Sequence, residues 1–191
     1  MVSSVGYTST KPELCAVKEK TSRRGRPYKV HDELDQLSQI IGDRDHSALQ
    51  AVINSHGIDA FDRDNRTALI WASFFGQADL VKWLLDNRAN VNFQDGIGFT
   101  GLHYCGQEQY LEIATILLKN GADPNITDKH GNTALWTSLF NAKGNFEVVR
   151  VLVLNGADPI LVNVHGRSTN DLAITIYKKN LNELLEQEPD S

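Results

Sequence analysis

Residues that commonly carry out chemistry are scattered along this chain without the spacing of a catalytic or metal-binding motif. The six histidines are His31, His46, His56, His103, His130 and His165. No two are four residues apart, although His130 and His165 take the same position in successive segments, which leaves a zinc ion between them as an alternative. Asp62 and Asp64 form an acidic pair on a turn, where carboxylates are more often solvated charges than a general acid and base. The sequence therefore predicts no catalysis, no cofactor and no metal site.

A basic segment near the N-terminus is the second candidate for chemistry. Residues 1–30 hold seven Lys or Arg against two Glu, a net charge of +5, so the remaining 161 residues carry −10 of the total −5. The core of the segment, Arg24-Gly25-Arg26-Pro27, resembles the AT-hook, whose arginines enter the narrow minor groove of A·T-rich DNA. This predicts nucleic-acid binding by Arg23, Arg24 and Arg26. A solvated or non-specific basic tail is the alternative.

Composition and hydropathy place the chain among globular proteins. It has 191 residues, 41% of them hydrophobic and 23% charged, which predicts one domain plus a flexible tail. No apolar run approaches 18 residues, and the first ten residues are small and polar, so we expect neither a membrane span nor a signal peptide. Cys15 and Cys105 lack motif spacing. They predict free thiols in a reducing cytosol, hence a cytoplasmic protein, rather than a disulfide.

A 33-residue step runs through the middle of the chain. Threonines at 67, 100 and 133 keep this spacing, as do alanines at 89 and 122, followed by Ala157 after 35 residues. The run Asn120-Gly121-Ala122-Asp123-Pro124-Asn125 returns as Asn155-Gly156-Ala157-Asp158-Pro159. Self-similarity at this period predicts a stacked helical repeat.

Each repeat contains the pattern of two helices. Thr67 suits a helix N-cap, and Leu80, Val81, Leu84 and Leu85 form one apolar stripe on a second helix, Ala78 to Asp86. Gly121 falls where a helix end favours a left-handed residue. We predict a tail (1–30) and a domain (31–188), divided into a cap (31–61), three repeats (62–94, 95–127 and 128–162) and a second cap (163–188).

The pattern Asp-x-x-Gly-x-Thr-x-Leu, a short helix, a Leu-Leu helix and Gly-Ala-Asp-x-Asn resembles the ankyrin repeat. The match is strong over 62–159 and weaker over 34–61 and 163–188. Asn65 replaces the turn glycine and Arg88 the helix-end glycine of the first full repeat. The resemblance implies an all-α solenoid of about three full repeats between two caps. It also implies that His103 is the buried repeat histidine that hydrogen-bonds the neighbouring turn.

The resemblance further implies a binding surface. Turn tips and short first helices line a concave face, where partners of ankyrin repeats usually bind. The predicted contact residues are Arg63, Asp64, Arg66, Phe74, Phe75, Ile97, Phe99, Gln107, Glu108, Lys129, His130, Asn132, Phe140, Asn141, His165 and Arg167. Five of them (Phe74, Phe75, Ile97, Phe99 and Phe140) would form an apolar strip with a cationic rim, which is typical of an interface. The alternative, packing between repeats, is favoured for Trp71, Tyr104 and Trp136.

Two functions follow from these features. The first is a non-catalytic module that binds one protein on its concave face and, in its most concrete form, inhibits it, because small irregular ankyrin proteins resemble bacterial immunity proteins or antitoxins. In that form five acids, Asp62, Asp64, Asp95, Glu108 and Asp128, would meet the partner's cations. The alternative is a nuclear or DNA-associated regulator that uses the AT-hook-like tail. Neither function predicts a membrane or a small-molecule substrate as partner.

Overall fold

The computed structural model of the chain describes residues 33–186, which form ten α-helices and one short 3₁₀ helix (Leu34–Gln36). The α-helices are α1 Leu37–Gly42, α2 His46–His56, α3 Ala68–Phe74, α4 Ala78–Asp86, α5 Gly101–Glu108, α6 Leu111–Lys119, α7 Ala134–Asn141, α8 Glu147–Leu154, α9 Thr169–Tyr177 and α10 Leu181–Leu185. The basic segment with Arg23, Arg24 and Arg26 lies outside the described residues, as do residues 187–191. Within the described range, no helix combines the length and apolar character needed to cross a bilayer.

The helices stack in two layers. The odd-numbered helices pack in succession from α1 to α9, and α4, α6 and α8 pack in succession behind them. Each odd-numbered helix from α3 to α9 follows a turn tip, and three of the tips close with an isolated antiparallel bridge (Phe61 with Thr67, Thr127 with Thr133, and Val162 with Ser168). This confirms the predicted all-α repeat solenoid.

Hydroxyl side chains start the first helix of each repeat. Thr67 and Thr133 each accept a hydrogen bond from the backbone N–H three residues later at 3.3 Å. Ser168 does the same for α9 at 3.2 Å. The N-cap role predicted for Thr67 is therefore confirmed, and the cap satisfies a backbone donor that the helix itself leaves free.

The core lies between the two layers and repeats with the sequence. Leu84, Leu117 and Leu152 occupy equivalent sites on the second helices, and none of them is accessible to solvent. Cys105 is a free cysteine, also fully buried, as expected from its core position. Burial raises the pKa of the Cys105 thiol, which keeps it in the neutral form that an apolar environment favours.

A ladder of side-chain hydrogen bonds joins each repeat to the next. Asn92 accepts from the Asp123 N–H at 2.8 Å and donates to the Gly121 carbonyl at 3.3 Å. Asn125, 33 residues later, makes the same pair of bonds to Asp158 and Gly156, at 2.8 and 2.9 Å. These contacts explain why Asn returns at this position, since it supplies both an acceptor and a donor to backbone groups of the following repeat.

Two residues that replace family glycines adopt the left-handed backbone conformation that glycine would favour. Asn65 has φ +59° and Arg88 has φ +67°, against +84° for Gly121, which is the counterpart of Arg88 in the next repeat. The left-handed region costs a residue with a Cβ about 1–2 kcal/mol. Arg88 therefore stores backbone strain at the end of α4.

We expect Arg88→Gly to raise the free energy of unfolding by about 0.5–1 kcal/mol, because removing the strain outweighs the extra flexibility of glycine in the unfolded chain. Urea unfolding followed by tryptophan fluorescence measures the change. The matched control is Gly121→Arg, which should lower stability, since no atom lies within 4 Å of a Cβ at Gly121 and only backbone strain is added. A neutral or destabilising Arg88→Gly would contradict the assignment of strain.

Candidate functional site

Buried aspartates hold the turn tips in shape. Asp62, Asp95 and Asp128 are 5%, 5% and 8% exposed. In each case Oδ1 accepts from the backbone N–H groups two and four residues later: those of Asp64 and Arg66, of Ile97 and Phe99, and of His130 and Asn132, at 2.8–2.9 Å. The prediction that these three acids meet a partner's cations is wrong, because their carboxylates are buried and bonded within the tips. Asp64 and Glu108 are the two of the five predicted acids that remain exposed.

The second carboxylate oxygen of two tips fixes an aromatic side chain of the following helix. Trp71 Nε1–H donates to Asp62 Oδ2 at 2.8 Å, and the Tyr104 hydroxyl donates to Asp95 Oδ2 at 2.7 Å. Burial and the neighbouring Asp95 carboxylate raise the pKa of Tyr104, so its hydroxyl stays protonated as a donor. Both rings are thus held in one orientation by their own tip.

A cleft of about 380 Å³ opens between the first two full repeats. Its lining residues are Arg66, Trp71, Phe74, Ile97, Phe99, Tyr104 and Gln107. Tyr104 is edge-on to both Phe74 and Phe99, with ring centroids 5.6 and 5.3 Å apart. The guanidinium carbon of Arg66 lies 4.9 Å from the centroid of Trp71, in the range of a cation–π contact. The cleft therefore has an aromatic wall and one cation.

Five predicted contact residues line this cleft: Arg66, Phe74, Ile97, Phe99 and Gln107. Trp71 and Tyr104, which the sequence favoured as packing residues, line it as well. Tyr104 does pack between neighbours and is buried, whereas Trp71 is half-buried. Each lies four residues after its N-cap threonine, so aligning the repeats at that position was the signal that could have revealed them.

The rest of the predicted strip divides into two parts. Phe75 is 38% exposed and stacks on Trp71 at 5.6 Å, so it continues the aromatic wall toward the N-terminal helices. Phe140 is 63% exposed but lies on α7, outside the cleft lining. Phe74 and Phe99 are half-buried, because their rings pack on Tyr104.

The remaining predicted contacts surround the cleft or take part in the fold. Asp64, Glu108, Lys129, His130, His165 and Arg167 are exposed. Arg63 is exposed and forms an ion pair with Asp35, to which its Nε donates at 3.0 Å. Asn132 and Asn141 are half-buried, and Asn141 donates its side-chain amide to the Thr137 carbonyl at 2.8 Å. These two asparagines therefore support local structure.

His103 links two repeats. Its Nδ1 accepts from the Thr100 N–H at 3.1 Å, and its Nε2 lies 3.2 Å from the Asn132 carbonyl, so the second nitrogen must carry the proton. The expected hydrogen bond to the neighbouring tip is confirmed. Burial lowers the pKa of His103, which favours this neutral form at pH 7. In the described part of the chain, no group of three or more His, Cys, Asp or Glu side chains is arranged to hold a metal ion.

The opposite face, formed by the even-numbered helices, has two shallower depressions. A groove of about 660 Å³ between α4 and α6 is lined largely by polar and charged side chains, including Asp79, Lys82, Asp86, Glu112 and Lys119. A hollow of about 330 Å³ between α2 and α4 contains one aromatic residue, Trp83. The cleft on the tip side brings together four aromatic rings, which is the composition expected of a protein-binding hot spot.

A stack of helix pairs with an aromatic cleft on its tip side defines a solenoid of the protein-binding class. The family described as "Ankyrin repeats (3 copies)" matches residues 37–128 and 89–163. The chain belongs to the ankyrin-repeat family, whose repeats are protein–protein interaction modules and typically non-catalytic.

Relatives share the repeats within much longer proteins. The chain is 40% identical over 102 residues to the E3 ubiquitin-protein ligase Ufd4 of Drosophila melanogaster, covering 52% of the chain and 4% of the ligase. It is 37% identical over 103 residues to the palmitoyltransferase AKR1 of Kluyveromyces lactis (51% and 14%). It is 32% identical over 110 residues to the putative ankyrin repeat protein L371 of Acanthamoeba polyphaga mimivirus (56% and 14%). The chain thus spans at most about a seventh of each of these proteins.

Proposed function

We propose that this protein binds one protein partner through its concave face and that the cleft between the first two full repeats is the centre of the contact. The observation that carries the proposal is the convergence of Trp71, Phe74, Phe99 and Tyr104 around one open space. Large aromatic side chains and arginine dominate the energetics of protein interfaces, especially where they are held rigid before binding. Here the buried Asp62 and Asp95 hold two of the rings.

Phe99→Ala is expected to weaken partner binding by about 1–2 kcal/mol, a tenfold or greater loss of affinity. Phe99 lines the cleft but stacks only on its own repeat, against His103 at 4.9 Å and Tyr104 at 5.3 Å. Isothermal titration calorimetry with the purified partner measures the effect. Phe75→Ala tests the extension of the aromatic wall in the same way. Unchanged affinity in both variants would sink the proposal for this face.

The partner is to be identified by affinity purification of the tagged full chain from its native cells, followed by mass spectrometry. The test variant replaces Phe75, Phe99 and Phe140 by alanine. A matched control replaces three exposed apolar residues of the even-numbered helices, Trp83, Leu111 and Leu154. A stoichiometric protein lost in the first variant and kept in the control supports the concave face. The opposite result would transfer the function to the other side of the solenoid.

A narrower form of the proposal is that binding neutralises the partner, as an immunity protein or antitoxin does. What supports it is that a rigid face can cover an active site without chemistry of its own. Electrostatic attraction by the tip acids no longer contributes, since three of the five are buried. The activity of the purified partner, measured with and without an equimolar amount of this protein, decides the point. Full activity in the complex would leave a binding role without inhibition.

A further inference from the structure

The charged groups that a partner can touch on the concave face are mainly cationic. Three tip carboxylates are buried and each is surrounded by backbone N–H donors. The exposed charges are Lys129 and Arg167 on the tips and Arg63, which is paired with Asp35, against Asp64 and Glu108. Within residues 33–186, Lys129 makes no ion pair. The accessible charge thus differs in sign from the −10 carried by residues 31–191 as a whole.

Arg66 places a further cation inside the cleft. Its Nε lies 3.5 Å from Asp95 Oδ2, and its Nη1 lies 3.8 Å from Asp64 Oδ2. Both distances exceed the 2.7–2.9 Å of a strong charge-assisted hydrogen bond, and the strong bond to Asp95 Oδ2 comes from Tyr104 at 2.7 Å. The guanidinium therefore keeps donor capacity for a second carboxylate, which it can bind in a bidentate fork.

The same geometry disfavours a cationic ligand. A positive group would seek the face of Trp71, but Arg66 already lies over that ring at 4.9 Å. A second cation there would be repelled by the guanidinium. The apolar remainder of the cleft, formed by Phe74, Ile97, Phe99 and Tyr104, instead suits a large uncharged side chain.

We propose that the concave face recognises an acidic segment of its protein partner, with one large apolar side chain in the cleft and a neighbouring carboxylate on Arg66. Further Asp or Glu residues of the segment contact Lys129 and Arg167 on the following tips. This inference rests on the proposed function and adds the chemistry of the partner. It depends on charge complementarity at an interface, which sets specificity and association rate.

A random 12-residue peptide library displayed on phage, selected on the full chain, tests the inference. We expect the enriched peptides to carry Phe, Trp, Leu or Met next to Asp or Glu. A representative synthetic peptide should lose about tenfold in affinity with Arg66→Gln and with the double variant Lys129→Gln/Arg167→Gln. It should keep its affinity with Lys82→Gln/Lys119→Gln, which removes two lysines from the opposite face. Its affinity should also fall as the salt concentration rises.

The outcomes separate this inference from the proposed function. Enriched peptides rich in Lys or Arg that lose binding with Phe99→Ala would overturn the acidic partner and leave the concave site in place. Peptides indifferent to Phe99→Ala would overturn both. Failure to enrich any peptide would count against recognition of a linear segment, while the Phe99→Ala measurement on the purified partner would still decide the function. Circular dichroism of each variant checks that it is folded.

Discussion

Asp95→Ala should lower the free energy of unfolding by about 3–5 kcal/mol, the usual range for breaking a buried, hydrogen-bonded charge. The substitution leaves the N–H groups of Ile97 and Phe99 and the hydroxyl of Tyr104 without their acceptor, and all three bonds are 2.7–2.9 Å long. Each buried donor left unpaired costs about 1–3 kcal/mol. Urea unfolding monitored by tryptophan fluorescence provides the value.

Two further variants make the Asp95 experiment specific. Asp95→Asn keeps an amide oxygen for the two backbone donors and should fall between wild type and Asp95→Ala. Asp64→Ala removes an exposed acid from the preceding tip and should change stability by less than about 0.5 kcal/mol. A loss below about 1 kcal/mol for Asp95→Ala would show that the tip does not depend on its carboxylate.

Gly106→Val should destabilise the protein by about 3 kcal/mol or more, although glycine is a poor helix former. Gly106 lies in α5, where a Cβ would come within 2.9 Å of the Ala134 carbonyl oxygen and 3.0 Å of the Ser138 nitrogen. Both are backbone atoms of α7, so the helices must separate to admit any side chain. Overpacking of this kind typically costs 1–3 kcal/mol for small additions, and valine adds two methyl groups beyond the Cβ.

The control for Gly106 is another helical glycine with room beside it. A Cβ at Gly42, the last residue of α1, would lie 3.5 Å or more from the Phe75 ring, which is ordinary van der Waals contact. Gly42→Ala should therefore be neutral or slightly stabilising through its helix propensity. Calorimetric melting of both variants separates the effect of close helix contact from that of glycine itself. Equal shifts at Gly106 and Gly42 would refute the contact as the cause.

The fold was predictable from the sequence because the 33-residue period registers the same few contacts in each repeat. Thr67 as N-cap, the helix Ala78–Asp86 and the left-handed Gly121 all follow from residues whose local geometry is specific. The burial of Asp62 and Asp95 was not predictable in the same way. An acidic residue on a turn is usually solvated, and its capture by backbone N–H groups depends on the folded path of the tip.

The cleft was predictable only in part. Phe99 and Arg66 were placed on the concave face by their positions in the tips, and the structure brings them to one cleft. Tyr104 was expected to pack between repeats, which it does, while one edge of its ring also faces the open space. Sequence position gives the face of a helix, but whether a ring is wholly covered depends on the size of the neighbouring side chains.

The walls of the cleft belong to different repeats, and this has a mechanical consequence. Arg66, Trp71 and Phe74 move with α3, whereas Phe99 and Tyr104 move with α5. The two helices approach closely at Gly101, where a Cβ would lie 2.9 Å from Ser73 Oγ. The width of the cleft is therefore tied to the curvature of the solenoid. A ligand wedged between the walls stiffens the stack, and by the reciprocity of coupled equilibria, any force that bends the stack changes the affinity for that ligand.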